Sequence, residues 1–200
     1  RAHTRTFRLW GGLGVVRLVR MVAKIDLDLP DLREVAAYAA DSAEKVTAIV
    51  ERRGASDLRP RDAIAAARIF ACGGPRVKAL RDAAWAAHKA AQETDDRAAS
   101  EAARSAMCAP ASAFLHPLSR ATQVRHILGA AAHAARAAEL AAGDDPVVGL
   151  GFVERMARGT NPKIIEILCR YPESPRGGGR TGELLRMLDQ KLRGPESGGA

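Results

Sequence analysis

The chain is short of cysteines, of aromatic rings and of long apolar runs, and each shortage removes a class of protein. Cys72, Cys108 and Cys169 are odd in number, far apart, and show no CxxC or Cys/His ligand spacing. Each lies in or beside an apolar helical run, so free buried thiols in a reducing compartment are expected rather than a disulfide framework. No stretch approaches the ~20 uncharged apolar residues of a membrane span, which predicts a soluble, cytoplasmic chain. No period-two alternation lasts four residues and β-branched residues are sparse, so a sheet is not expected. With 4 Phe, 2 Trp and 2 Tyr in 200 residues, large rings cannot fill a core.

Alanine fills it instead. It is the best helix former, and it carries much of the 47% hydrophobic content. Within HPLSRATQVRHILGAAAHAARAAELAA (116–142), Val124, Ile127, Leu128, Ala131, Ala135 and Ala138 recur at helical spacing. An alanine face lets a neighbouring helix come to the near end of the usual ~8–10 Å interaxial range. The fold class that follows is all-α: a compact multi-helix bundle of about eight helices with Ala-rich close packing, leaving little room for a cofactor in the core.

Start and stop signals place the other elements. Pro30 and Gly54 bracket the first helix, with Leu32, Val35, Ala39, Ala43, Val46 and Val50 in one stripe. A second opens at Pro60 and ends at Gly73-Gly74, burying Ile64, Ala67 and either Phe70 or Ile69. A third runs from Pro75 to Thr94 with Val77, Leu80, Ala84, Ala87 and Ala91 inward. The fourth starts at Asp95-Asp96, and Pro110 kinks or divides it. The long helix is entered through Pro117 with Ser119 as N-cap. Shorter helices over 146–158 and 162–170 precede a flexible connection at 172–180 and a last helix at 181–193 bearing Leu184, Leu185, Leu188 and Leu192. The alanine-rich runs share no constant period, so a solenoid is the weaker architecture.

The net charge of +8 is unevenly spread. Residues 1–22 hold five arginines and no acid, and the remainder carries 26 basic against 23 acidic side chains. The folded part is therefore close to balanced, which makes nucleic acid an unexpected partner for the bundle. The leader lacks a small-residue cleavage site, and Gly11, Gly12 and Gly14 weaken it as an amphipathic anchor. It is expected to precede the native start near Met21 and to be disordered. One domain over 23–193 and a frayed tail over 194–200 complete the organisation.

Chemistry-bearing patterns are few. No GxSxG or phosphate-loop spacing occurs, and Ser112 or Ser119 near His116 is sequence proximity only. His88, His126 and His133 could surround a metal ion, which would make the chain a metal-dependent enzyme. Arg125 and Arg136 oppose a cation there, and rings satisfying polar positions between helices explain the same residues. Arg170, Tyr171, Arg176, Arg180 and Arg186 gather near the last connection. They form either a solvated face or a contact patch whose planar guanidinium groups grip an acidic partner. On the second reading, Arg176→Glu or Arg180→Glu weakens partner binding without lowering stability.

Three segments carry a resemblance: RPRDAIAAARIFACGGPRVKALRDAAWAAHKAA (59–91), AARSAMCAPASAFLHPLSRATQVRHILGAAAHAARAAELAAGDDP (102–146) and EILCRYPESPRGGGRTGELLRMLDQKLR (166–193). Their markers are His116-Pro117, the TQVRHILGAAAHAA run and Arg170-Tyr171-Pro172. With them the chain, from about Met21 to Arg193, resembles the Imm-five-like bacterial immunity proteins, seen often in high-GC actinobacteria. The resemblance implies a helical protein that binds and neutralises a protein toxin, without catalysis, metal or cofactor. It carries no contact residues over to this chain. Inhibitors of nuclease toxins are commonly acidic, whereas this chain is mildly basic, which points to an acidic toxin or one that is not a nuclease. The rival readings are the histidine metalloenzyme and a nucleic-acid-binding regulator, and a homodimer stays open.

Overall fold

Helix boundaries follow side chains that cap exposed backbone amides. In the computed structural model, which describes residues 23–52 and 57–194, α1 (Leu29–Glu44) begins with a reciprocal cap. The Asp31 amide donates to the Asp28 carboxylate at 2.8 Å, and the Asp28 amide donates back to Asp31. Pro30 sits in the first turn, where no intrahelical donor is needed. The single first helix expected up to Gly54 does not form. The Val46 amide turns back to the Ala43 carbonyl, and the Thr47 hydroxyl donates to that same oxygen at 3.3 Å. This tightens the last turn and ends α1, after which α2 (Thr47–Glu51) restarts.

α3 (Arg59–Ala71), α4 (Lys78–Glu93) and α5 (Arg97–Ala111) follow, and Asp96 caps α5 by accepting from the amides of Ala98 and Ala99. Pro110 does not divide α5. It lies one residue from the end, so the one amide bond it cannot make, to the Ala106 carbonyl, falls in the last turn, and a short 3-10 turn at 112–114 continues from it. α6 (Val124–Ala141) starts later than expected, after a 3-10 turn at 121–123. Ser119 is not its cap. The Ser119 amide donates to the Ala23 carbonyl at 2.9 Å and the Ile25 amide donates to the Pro117 carbonyl at 3.0 Å, so residues 117–119 are held extended against the strap before α1. α7 (Pro146–Gly159), α8 (Pro162–Cys169) and α9 (Gly179–Arg193) complete the described chain, with Asp145 and Asn161 capping α7 and α8.

α6 is the axle. Gly129, Ala130, Ala131, Ala132, Ala134, Ala135 and Ala137 are buried with Val124, Ile127 and Leu128, so the helix is enclosed on nearly every side rather than along one stripe. α5, α9, α7 and α1 surround it. The fit is close: the Ser105 hydroxyl of α5 donates to the Ala130 carbonyl at 2.7 Å, and a Cβ on Gly129 would stand 3.3 Å from Cys108 Sγ. Ala131→Leu is therefore expected to cost ~1–3 kcal/mol by overfilling the crossing, read as a lower urea midpoint at unchanged slope. A neutral substitution would show that α5 and its neighbours can retreat.

Several stripe assignments are settled by the packing. Phe70 takes the inward position at the end of α3 and leaves Ile69 65% exposed. Val77, expected inward, is the exposed residue preceding α4, outside its first turn. Cys72 and Cys169 are exposed and only Cys108 is drawn inside, which corrects the expectation of three buried thiols. Both exposed cysteines lie at helix ends, on the solvent side of α3 and α8, where no neighbouring helix covers them. The leader 1–22 and the tail 195–200, for which disorder was expected, lie outside the described residues.

Candidate functional site

A surface depression runs along α4, α5, α6 and α9. It has two lobes. One, of about 330 Å³, lies between α4 and α5 and is bordered by Trp85, Arg81, His88 and Phe114. The other, of about 370 Å³, lies between α5, α6 and α9 over Cys108, His133 and Leu185. Met107, Ala111 and His126 border both, so the lobes form one groove with His126 at its waist. The expectation of close alanine packing did not anticipate this depression. It opens because α4 and α6 flank α5 with alanines, whose short side chains leave the space between helix shoulders unfilled.

The rim is set by backbone geometry. Gly178 has φ +82°, and a Cβ on Gly182 would stand 2.1 Å from the Gly177 carbonyl oxygen. Glycine at 182 lets the connection turn tightly onto the first turn of α9, which keeps that wall of the groove low. On the opposite wall Trp85 projects from α4 and is 69% exposed, the one aromatic among the exposed large hydrophobic side chains of the described residues. The guanidinium of Arg81 stacks 4.1 Å from the Phe114 ring centroid, and the edge of His88 meets Trp85 at 5.6 Å.

The three histidines singled out by sequence do border this groove; His126 and His133 are engaged through Nδ1, whereas the buried Nδ1 of His88 has no hydrogen-bond partner among the described residues. His126 Nδ1 donates to the Ala111 carbonyl at 3.2 Å, and burial pulls its pKa below the ordinary value, so the ring is neutral at pH 7. His133 Nδ1 lies 2.7 Å from the Glu101 carboxylate. Burial alone would raise the Glu101 pKa, and the hydrogen bond and charge of His133 outweigh it, leaving Glu101 below its ordinary value. His88 lies against Trp85, at the far side of the first lobe. Among the described residues no three His, Cys, Asp or Glu side chains converge on a common metal position. Burial also pushes the Cys108 thiol up to about 12, helped by the nearby charge of Glu101, so it stays protonated and is a poor nucleophile.

The arginine cluster near the last connection is divided by the fold. Arg170 donates to the Asp31 carboxylate, to Glu166 and to the Asp26 carbonyl, which ties α8 to the start of α1. Tyr171 is buried, its hydroxyl donating to the His116 carbonyl at 2.9 Å, so it is not a surface residue. Arg180 reaches the buried Glu139, and Arg186 donates to the carbonyls of Pro175 and Gly177. Arg176 is exposed. Sequence proximity thus brought together residues that brace different helices.

The Asp31 cluster has a pH consequence. Burial would raise the Asp31 pKa, but the hydrogen bonds of Arg170 and Lys163 prevail and hold it below the ordinary carboxylate value. Its stabilising contribution is present above the unfolded-state value of about 4 and is lost as pH falls through the lower folded value. Asp31→Asn is therefore expected to reduce the loss of stability between about pH 4 and pH 2 in urea titrations. An unchanged acid limb would mean that the unfolded chain retains the same pairing.

Groove and axle belong to a close-packed helical bundle. The chain belongs to the family described as Imm-5 like putative immunity protein, whose model matches residues 27–149, from the strap before α1 to the first turn of α7. Neither the curated proteins nor the solved structures give a match. The matched segment contains every side chain bordering the first lobe, whereas α8 and α9 lie beyond it. No described helix is long and apolar enough to cross a membrane. Sequence reasoning missed Trp85, although a signal was present: in a chain poor in aromatics it stands off the inward stripe Leu80, Ala84, Ala87 and Ala91.

Proposed function

We propose that this chain is an immunity protein that binds a toxin in the cytoplasm and neutralises it by covering the toxin's working surface. Family membership is the observation that carries the reading. The packing supports a lock-like mode of action: an axle of buried alanines and capped helix ends leave little to reorganise on binding. A preformed face avoids the entropy of ordering mobile segments, so more of the contact energy becomes affinity. Recognition rather than catalysis is further favoured by the protonated Cys108 thiol and by imidazoles already engaged with Ala111 and Glu101.

The test is co-expression with proteins encoded by adjacent reading frames. One of them is expected to arrest growth alone and to be harmless, and co-purified at a fixed stoichiometry, in the presence of this chain. If none is toxic, or toxicity persists despite abundant folded chain, the reading fails.

A further inference from the structure

We infer that the two-lobed groove beside Trp85 is the docking site for an acidic, apolar segment of the partner protein, with Trp85 as its anchor. The inference rests on the immunity reading for the partner's role, and on the groove's own chemistry for its location. A tryptophan that is 69% exposed on a helix face is costly in water, and it is placed where a partner could cover it. Tryptophan and arginine are the residue types that most often dominate binding energy when buried at an interface. Here Trp85 and Arg81 stand on successive turns of α4 over a floor of Ala84, Ala111 and Met107.

Charge selects the occupant. Arg81 and Arg125 border the groove and neither meets an acidic side chain among the described residues, Arg81 being stacked on Phe114 instead. No aspartate or glutamate borders either lobe. The half-buried Glu101 carboxylate is taken up by His133 and the Thr181 hydroxyl. The groove is therefore apolar at its floor and cationic at its edges. It complements a leucine, phenylalanine or tryptophan flanked by Asp or Glu, and it repels a basic segment. Each lobe lies at the small end of the ~300–1,000 Å³ range of ligand pockets, matching individual side chains. The cationic edges arise in a folded part whose overall charge is nearly balanced, so they are a local arrangement and not a consequence of net charge.

The experiment pans a random peptide library on the full chain and measures the affinities of the enriched peptides by titration. Enriched sequences are expected to place Asp or Glu beside a large apolar residue. Their affinity should fall roughly tenfold or more with Trp85→Ala and at least as much with Arg81→Glu/Arg125→Glu. Ile69→Ala, which trims an exposed apolar residue on α3, should change nothing, and Trp85→Ala should leave the melting temperature in place. Basic or compositionally random peptides, no enrichment, or binding indifferent to Trp85 each overturn the inference. Co-expression separates it from the broader reading. Protection retained by Trp85→Ala and by the double charge reversal sinks the groove while leaving immunity standing, and the absence of any toxin sinks the immunity reading itself.

Discussion

Replacing Arg180 by glutamate is expected to destabilise the protein by ~3–5 kcal/mol, the scale for leaving a buried charge without its partner. Glu139 of α6 is 0% exposed, and Arg180 reaches it from α9 with Nε 3.0 Å and Nη2 2.6 Å from Oε1. Arg136 supplies a further contact to Oε2 at 2.8 Å but is shared with Asp144. On the other side the carboxylate lies against α7, where a Cβ on Gly149 would stand 2.2 Å from Oε1. Glu139 thus has nowhere to turn. Arg180→Glu removes the fork and places a further negative charge beside Glu139 and Glu183, with Arg136 left as the remaining partner. The contact argues against the sequence-based expectation that this reversal spares stability, because the residue closes a buried ion cluster. Urea unfolding checks the magnitude, with Arg176→Glu as an exposed control expected within ~0.5 kcal/mol of the parent. Glu139→Gln should recover part of the loss by removing the buried charge, and a loss below ~1 kcal/mol would mean that water reaches the carboxylate.

Local signals in the sequence were sufficient wherever a residue acts on its own backbone. Asp28, Asp96, Asp145 and Asn161 cap helices at positions that proline, glycine and polar residues mark in the chain. Val46 shows where this stops. It continues the apolar stripe of α1 and is buried, so the pattern runs on through the break that the Thr47 hydroxyl makes. Ser119 has the chemistry of a cap, but its amide is claimed by Ala23, a partner far away in sequence. The site was lost for the same reason. Arg180 and Glu139 meet across 41 residues, and no spacing rule couples α9 to α6. Histidine positions were legible and their occupations were not, since Glu101 is 32 residues from His133. Trp85 was visible as an off-stripe aromatic, and only the fold shows the groove it overlooks.

Leu128→Ala is expected to cost ~2–5 kcal/mol and to lower the melting temperature by roughly 4–20 °C for a chain of this length. Leu128 is 0% exposed in the second turn of α6, within the main apolar cluster of the bundle. The cost of a cavity depends on how far the surroundings can collapse into it. Side chains already close-packed around the site have little freedom to change rotamer and fill the hole. Filling the space would instead require α6 or one of the helices around it to translate as a rod, disturbing contacts such as Ser105 to Ala130 along its length. The upper part of the range follows. Leu192→Ala supplies the contrast. That side chain is 6% exposed and lies one residue from the end of α9, where the last turn can relax, so its loss should be the smaller. Equal losses at the two positions would show that the alanine axle yields as readily as a frayed helix end, and the rigid exterior on which occlusion relies would lose its physical basis.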